Sequence, residues 1–136
     1  MPSVFTRIIE GDLPGRFVHR DDRCVAFLSV NPLRPGHVLV VPRVEVEHWI
    51  DLDADEWHHL TAVSQRLAAA LQRAYQPSKV GMMLAGLEVP HVHIHLVPID
   101  HVHDLDFGNA DPDPNPADLD AAAEKVRAAI DTLDGG

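Results

Sequence analysis

His91-Val92-His93-Ile94-His95-Leu96-Val97 is the stretch on which the reading of this chain turns. Three imidazoles stand at i, i+2 and i+4, with Val92, Ile94 and Leu96 between and after them. Period two is that of an extended strand, so Pro90 to Pro98 is expected to be a strand with imidazoles on one face and aliphatic groups on the other. A row of imidazoles costs desolvation, and repulsion whenever two are protonated. The pattern therefore points to metal binding, catalysis or a pH switch rather than to ordinary packing.

Working upstream, Pro35-Gly36 leads into the apolar strand His37-Val38-Leu39-Val40-Val41, which ends at Pro42. Cys24-Val25-Ala26-Phe27-Leu28 and Phe17-Val18-His19 read as two more strands around the charged turn Arg20-Asp21-Asp22-Arg23. Ser3 can cap a short helix through Ile9 that places Val4, Phe5 and Ile8 on one face. Between the strand at His37 and the histidine row, Asp53 with Glu56 resembles a capping box. It opens a long helix with Trp57, Leu60, Ser64, Leu67 and Leu71 at helical spacing, closing near Tyr75 before Pro77, and Val80 to Ala85 is a further strand. Downstream, Asp104 to Pro116 reads as an exposed loop. Asn115 and Pro116 then open a last helix with Leu119, Val126, Ile130 and Leu133 on its apolar face and a frayed end at Gly135-Gly136. This order predicts one α+β domain over 1–136: a mostly antiparallel sheet of about five strands, helices on one face, one long helix and short terminal helices.

At 136 residues the chain has room for one core. Its net charge of −10 argues against a nucleic-acid backbone as partner but not against a small anion held by local donors. No apolar run approaches the ~20 residues that cross a bilayer. No secretory signal is evident behind Met1, and the single cysteine, Cys24, has no internal disulfide partner and reads as a small buried hydrophobe. A cytoplasmic location is expected. His48, His58 and His59 read as surface or interface residues, His101 and His103 as parts of a solvated loop, and Trp49 and Trp57 as packing residues.

Strand geometry disfavours a metal at the row. Residues i and i+4 lie ~13 Å apart at ~3.3 Å per residue, whereas ligand nitrogens sit ~2.1 Å from one ion. Outside ligands would be needed, with His37, Glu88, His101 and His103 the available residues, so no metal is expected. Catalysis requires one neutral, aimed imidazole. If Nδ1 of His93 donates to a backbone carbonyl, its Nε2 lone pair becomes a nucleophile, and its neighbours can bind phosphate oxygens and assist a leaving group.

The stretch His91–Val97 matches the pattern His-φ-His-φ-His-φ-φ, and with Pro35-Gly36-His37-Val38-Leu39-Val40-Val41-Pro42 upstream it resembles the histidine triad superfamily. Phe5, Ile8-Ile9, Leu13-Pro14 and Val25-Ala26-Phe27 extend the resemblance over about Ser3 to Pro98. It implies a homodimer that binds a purine nucleotide (an AMP or GMP moiety), needs no cofactor, and attacks the α-phosphate of a nucleoside phosphoramidate or related phosphoanhydride. His93 would form the covalent nucleotidyl-histidine and His91 would orient it. His95 would bind phosphate and assist departure, with His37 as their neighbour. Phe5, Ile8, Phe27 and Val30 would enclose the base, and Ser29 and Glu88 would complete the nucleotide site. The long helix and the strand near Val80 to Ala85 would form the dimer interface. Ser29 replaces the acidic residue many relatives place near the ribose, and Leu87 stands where many carry a leaving-group Gln. A slow nucleotide-binding regulatory module and a metal-dependent hydrolase are the alternative readings. Ser3 and Thr6 occupy the region where some bacterial relatives carry zinc-binding cysteines, so no such zinc is expected.

Overall fold

The computed structural model describes residues 2–135. Its elements run α1 (Val4–Ile9), β1 (Phe17–Arg20), β2 (Cys24–Leu28), β3 (Val38–Pro42), α2 (Ala54–Tyr75), β4 (Lys79–Met83), β5 (Ile94–Ile99) and α3 (Pro116–Gly135). All strand pairs are antiparallel, in the order β1-β2-β3-β5-β4, which leaves β1 and β4 as the edges.

The alternation of side chains along the central strands divides the interior into two layers. Cys24, Ala26 and Leu28 of β2, Val38 and Val40 of β3, and Ile94 and Leu96 of β5 face α2 and α3. There they meet Leu60, Leu67, Leu71, Val126 and Ile130. Full burial of each large aliphatic side chain contributes about 1.5–3 kcal/mol. The other face carries Val25, Phe27, Leu39 and Val41, covered by Phe5 and Ile8 of α1. The helices therefore do not share one face. α1 is too short to cover the sheet, and the uncovered part of its layer becomes a cleft.

Several boundaries differ from those read in the sequence. The last strand begins at Ile94 rather than near Pro90, because Val92 donates its N–H to Val46 O and His91 to Val89 O outside the ladder. β4 spans Lys79–Met83, not Val80 to Ala85. α2 is capped by Asp53 through the N–H of Asp55, with Glu56 paired instead to Arg23, so there is no capping box. It closes on Gln76 in the left-handed conformation. α3 is no short terminal helix: its 20 residues nearly equal the 22 of α2, because a continuous apolar stripe packs on β1, β2 and α2. It runs to Gly135, and Gly136 lies outside the described residues, as does Met1. The stretch 104–116 contains ordered 3₁₀ turns with Asp104 buried, so it is not simply an exposed loop.

Candidate active site

β3 and β5 are adjacent, with Leu39 opposite His95. Gly36 aims the entry to β3. It has φ +90°, and a Cβ there would come within 2.5 Å of the Tyr75 ring. This turn sets His37 diagonally across from His95 on the α1 side of the sheet, where cross-strand neighbours can touch.

Hydrogen bonds fix the protonation of each ring. The His91 Nε2–H donates to Pro42 O at 2.7 Å, since a carbonyl can only accept, and Nδ1 accepts from the Ser3 hydroxyl at 2.7 Å. Ser3 also caps α1 through Thr6 N, while Ser3 N and Thr6 Oγ1 both donate to Glu45 Oε1. The start of α1 is thereby tied to the segment after β3 and to His91. The His93 Nδ1–H donates to His91 O at 2.7 Å, leaving its Nε2 with a bare lone pair. His37 Nδ1 accepts from Leu33 N at 3.0 Å, so its proton lies on Nε2 and is donated to His95 Nδ1 at 2.9 Å. His95 therefore carries its proton on Nε2. The ring centroids of His93 and His95 are 4.8 Å apart, and the two rings hold opposite tautomers.

Burial keeps all four rings neutral. It drives His37 down to about 3 and His95 to about 4, with further lowering from neighbouring imidazoles. Burial lowers His91 and His93 as well, opposed in each by the bond to a backbone carbonyl. Among the described residues, no fully buried side-chain nitrogen or oxygen lacks a partner.

Above the rings lies a cleft of about 580 Å³. It brings together Phe5, Ile8, Phe27, Ser29, Val30, Glu88, His37, His93 and His95. His91 lies outside its lining, fully buried, and reaches the cleft only through its carbonyl bond to His93. Phe5 packs edge-on to His93 at 4.8 Å and to Phe27 at 5.6 Å. The walls are apolar and aromatic, and no Lys or Arg is among the lining residues. A smaller pocket of about 70 Å³ adjoins His93 and His95, lined by Ala85, Gly86, Leu87, Glu88 and Phe107. Leu87 is 92% exposed there.

Phe107, Ala110 and Pro112 also line the cleft, with Phe107 edge-on to His95 at 5.1 Å. Sequence reasoning missed them; the one available signal was a lone aromatic in a polar, proline-rich stretch close behind the histidine row. Glu45 was missed too, and nothing in the local pattern marks it. His101 and His103 stack on each other, exposed, and take no part in the cleft. Trp49 and Trp57 pack together at 5.1 Å. His59 does not stand free on the surface but bonds Asp21 Oδ2 at 2.9 Å.

Fold and site together define a class: a small antiparallel α+β domain with a histidine row beneath an aromatic cleft. Residues 10–102 match the HIT domain, and the chain belongs to this histidine triad family of nucleotide-binding hydrolases and transferases. An uncharacterized HIT-like protein of Saccharolobus solfataricus is 34% identical over 100 residues, covering 70% of this chain and 72% of that protein. The bifunctional bis(5'-adenosyl)-triphosphatase/adenylylsulfatase of Arabidopsis thaliana is 38% identical over 78 residues, 54% of this chain and 43% of that protein. The crystal structure of a zinc-bound histidine triad family protein from Mycobacterium smegmatis superposes with a TM-score of 0.84 at 26% identity, covering 97% and 95% of the two chains. No helix of the described residues is long and apolar enough to cross a membrane.

Proposed function

We propose that this protein is a nucleotide hydrolase or nucleotidyl transferase that attacks the α-phosphate of a purine nucleoside phosphoramidate or phosphoanhydride through His93. The observation that carries this reading is the pair of opposite tautomers: a bare Nε2 on His93 beside an Nε2–H on His95. In the first step a bond forms between His93 Nε2 and phosphorus, and the bond to the leaving group breaks. The departing nitrogen or oxygen accepts a hydrogen bond from His95 Nε2–H, which stabilises its developing charge, and takes its proton from solvent. The His91 carbonyl, bonded to His93 Nδ1–H, stabilises the positive charge that develops on the ring. Water then attacks phosphorus, its proton passes to solvent, and His93 is released with its lone pair restored.

In this reading Phe5, Ile8, Phe27 and Val30, which line the cleft, enclose a purine, with Ser29 and Glu88 as the polar groups near the sugar. The triphosphatase and sulfatase activities named for the Arabidopsis relative are reactions at a nucleotide phosphate and support this substrate class. Chemistry at the triad uses no metal and no cofactor. Homodimerisation through α2 and the edge strand β4 completes the reading, since a groove of about 550 Å³ between them is lined by Val80, Met82, Ala62 and Ala68 together with His58, Thr61 and Gln65. A single domain over 1–136 acting in the cytoplasm is the simplest organisation.

Leu87, offering no donor on the leaving-group side, favours a second reading in which turnover is slow and binding itself is the function. One experiment separates the two. Adenosine and guanosine phosphoramidates, dinucleoside polyphosphates and nucleotidyl sulfates are screened with early acid-free quenching and intact mass spectrometry. A nucleotidylated chain with multiple turnovers supports catalysis; tight binding with no adduct supports the module.

A further inference from the structure

We propose that His19, Asp21, Cys24 and His59 form a zinc site that fastens the β1–β2 turn to α2. None of these residues lines the cleft or touches the histidine row, and the proposed reaction uses none of them.

Three of them come from one short hairpin and the fourth from the second turn of α2. One ligand atom each from His19, Asp21 and Cys24 can be chosen so that all lie within 4.8 Å of one another. Asp21 Oδ2 is the focus: His19 Nε2 stands 2.7 Å away, His59 Nε2 2.9 Å and Cys24 Sγ 3.5 Å. Around a tetrahedral zinc with bonds of ~2.0–2.3 Å, neighbouring ligand atoms stand roughly 3.3–3.7 Å apart. His19, Asp21 and Cys24 are close to this spacing, and His59, which is outside that mutually close set and held to Asp21 Oδ2 at 2.9 Å, would turn inward to become the fourth ligand.

The carboxylate is oriented for this in advance. Asp21 Oδ1 accepts from the backbone N–H of Arg23 at 2.7 Å and of Cys24 at 2.8 Å, and Arg43 Nε donates to the Asp21 carbonyl at 2.7 Å. That leaves Oδ2 facing three protic groups, although a carboxylate oxygen offers about two acceptor positions. A cation at the point where these groups converge would turn three competing donors into ligands. The donor set of one thiol, one carboxylate and two imidazoles suits zinc, and the two anionic ligands balance its charge.

Burial, reinforced by the adjacent Asp21, pushes the Cys24 thiol up to about 12, so the apoprotein holds it protonated. Zinc binding replaces the S–H bond by an S–Zn bond and releases that proton to solvent. Both imidazoles bind as neutral Nε2 ligands with their protons on Nδ1. His19, Asp21 and His59 are all partly exposed, which gives an ion a way in. The spacing of the histidine row and the lack of an N-terminal cysteine pair predict a folded protein without a transition metal; this proposal departs from that expectation, because the cluster is assembled only by the packing of α2 on the hairpin.

The test uses the full chain, stripped with chelator and titrated with cobalt(II) and then zinc(II). We expect one cobalt per chain with a thiolate-to-cobalt charge-transfer band, bleached by one equivalent of zinc, and a higher Tm with zinc. Cys24→Ser should lose the band, and His59→Ala should weaken binding tenfold or more. His93→Ala should leave both unchanged. His59 is partly exposed and lies outside the buried core that holds Cys24, so His59→Ala keeps the test valid if Cys24→Ser fails to fold, with circular dichroism checking each variant. Binding without a thiolate band, unchanged affinity in His59→Ala, or loss of the metal in His93→Ala would each overturn the proposal.

Discussion

His37 donates its Nε2–H to Nδ1 of His95 at 2.9 Å, and that one bond decides on which nitrogen His95 carries its proton. His37 has this proton to give only because its own Nδ1 is engaged by the Leu33 N–H. A backbone amide in the loop before β3 thus determines the tautomer of a ring on β5. The neighbouring His93 is governed separately, through the His91 carbonyl.

Removing the relay with His37→Ala should leave His95 free to adopt either tautomer. We expect kcat to fall by roughly 10²-fold, about what one hydrogen-bond donor to a developing charge supplies, with nucleotide affinity little changed. The loss should be larger for substrates with poor leaving groups, because those develop the most charge and depend most on the hydrogen bond from Nε2–H. Steady-state rates across a series of leaving groups, measured on wild type and variant, check this. An equal loss across the series would point to a structural effect rather than a lost hydrogen bond to the leaving group.

His93→Ala should abolish turnover while nucleotide binding stays within about tenfold, or ~1.4 kcal/mol. His93 forms its bond only during reaction, whereas binding rests on the aromatic walls and the remaining donors. Calorimetric binding of a non-hydrolysable nucleotide, together with quenched mass spectrometry, reads both quantities. An adduct that persisted and mapped to His95 would reassign the nucleophile.

Stability should decline on acidification from about pH 6.5, the ordinary histidine value, down towards pH 3. Burial lowers His37 to about 3 and His95 to about 4, so in this window the unfolded chain binds protons that the folded chain does not. Their contribution is complete above pH 6.5 and is lost as pH falls through the folded values. Asp100 acts with the same sign at the acid end: hydrogen bonds from Ser78 and Arg34 hold it near 2. Urea midpoints taken from pH 7.5 to 4 should fall steadily. His37→Asn, which removes one of the depressed groups, should flatten the slope.

Phe107→Ala should raise KM about tenfold, or ~1.4 kcal/mol, with a smaller effect on kcat. The ring lies against His95 and forms part of both the cleft and the small pocket beside it, so its loss opens the wall around the phosphate. Phe107→Leu should restore most of the affinity if apolar cover is what matters. A variant with unchanged KM would show that the segment carrying Phe107 does not contact substrate.

Met82→Glu should convert the proposed dimer to monomer. Met82 is 59% exposed on the edge strand β4 and lines the groove against α2, so a carboxylate there would have to be desolvated in the interface. Sedimentation velocity at micromolar concentration distinguishes the two states. A wild-type monomer would remove the basis for the dimer altogether.

Most of the strand and helix identities were legible because each carries a strong local signal. The aliphatic run Val38–Val41, the alternation around His93 and the helical spacing of Leu60, Leu67 and Leu71 all express burial by period. The match of His91–Val97 and its upstream partner to a known pattern then pointed to the family. Boundaries were less legible, since Val92 and His91 leave the ladder for Val46 O and Val89 O, partners that no local pattern announces.

The chain's own sequence settled which residues could do chemistry and on which face of the sheet they would lie, because side-chain alternation along a strand is a local property. Three things were left to the tertiary structure. The tautomers depend on atoms far off in sequence: Pro42 O and Ser3 Oγ for His91, and His37 Nε2 for His95. The roof of the cleft depends on the fold of 104–116, which brings Phe107 back over His95. The grouping of His59 with His19, Asp21 and Cys24 depends on the packing of α2 against the first hairpin. Each is a contact between segments whose separation along the chain carries no record of their distance in space, so only folding brings them together.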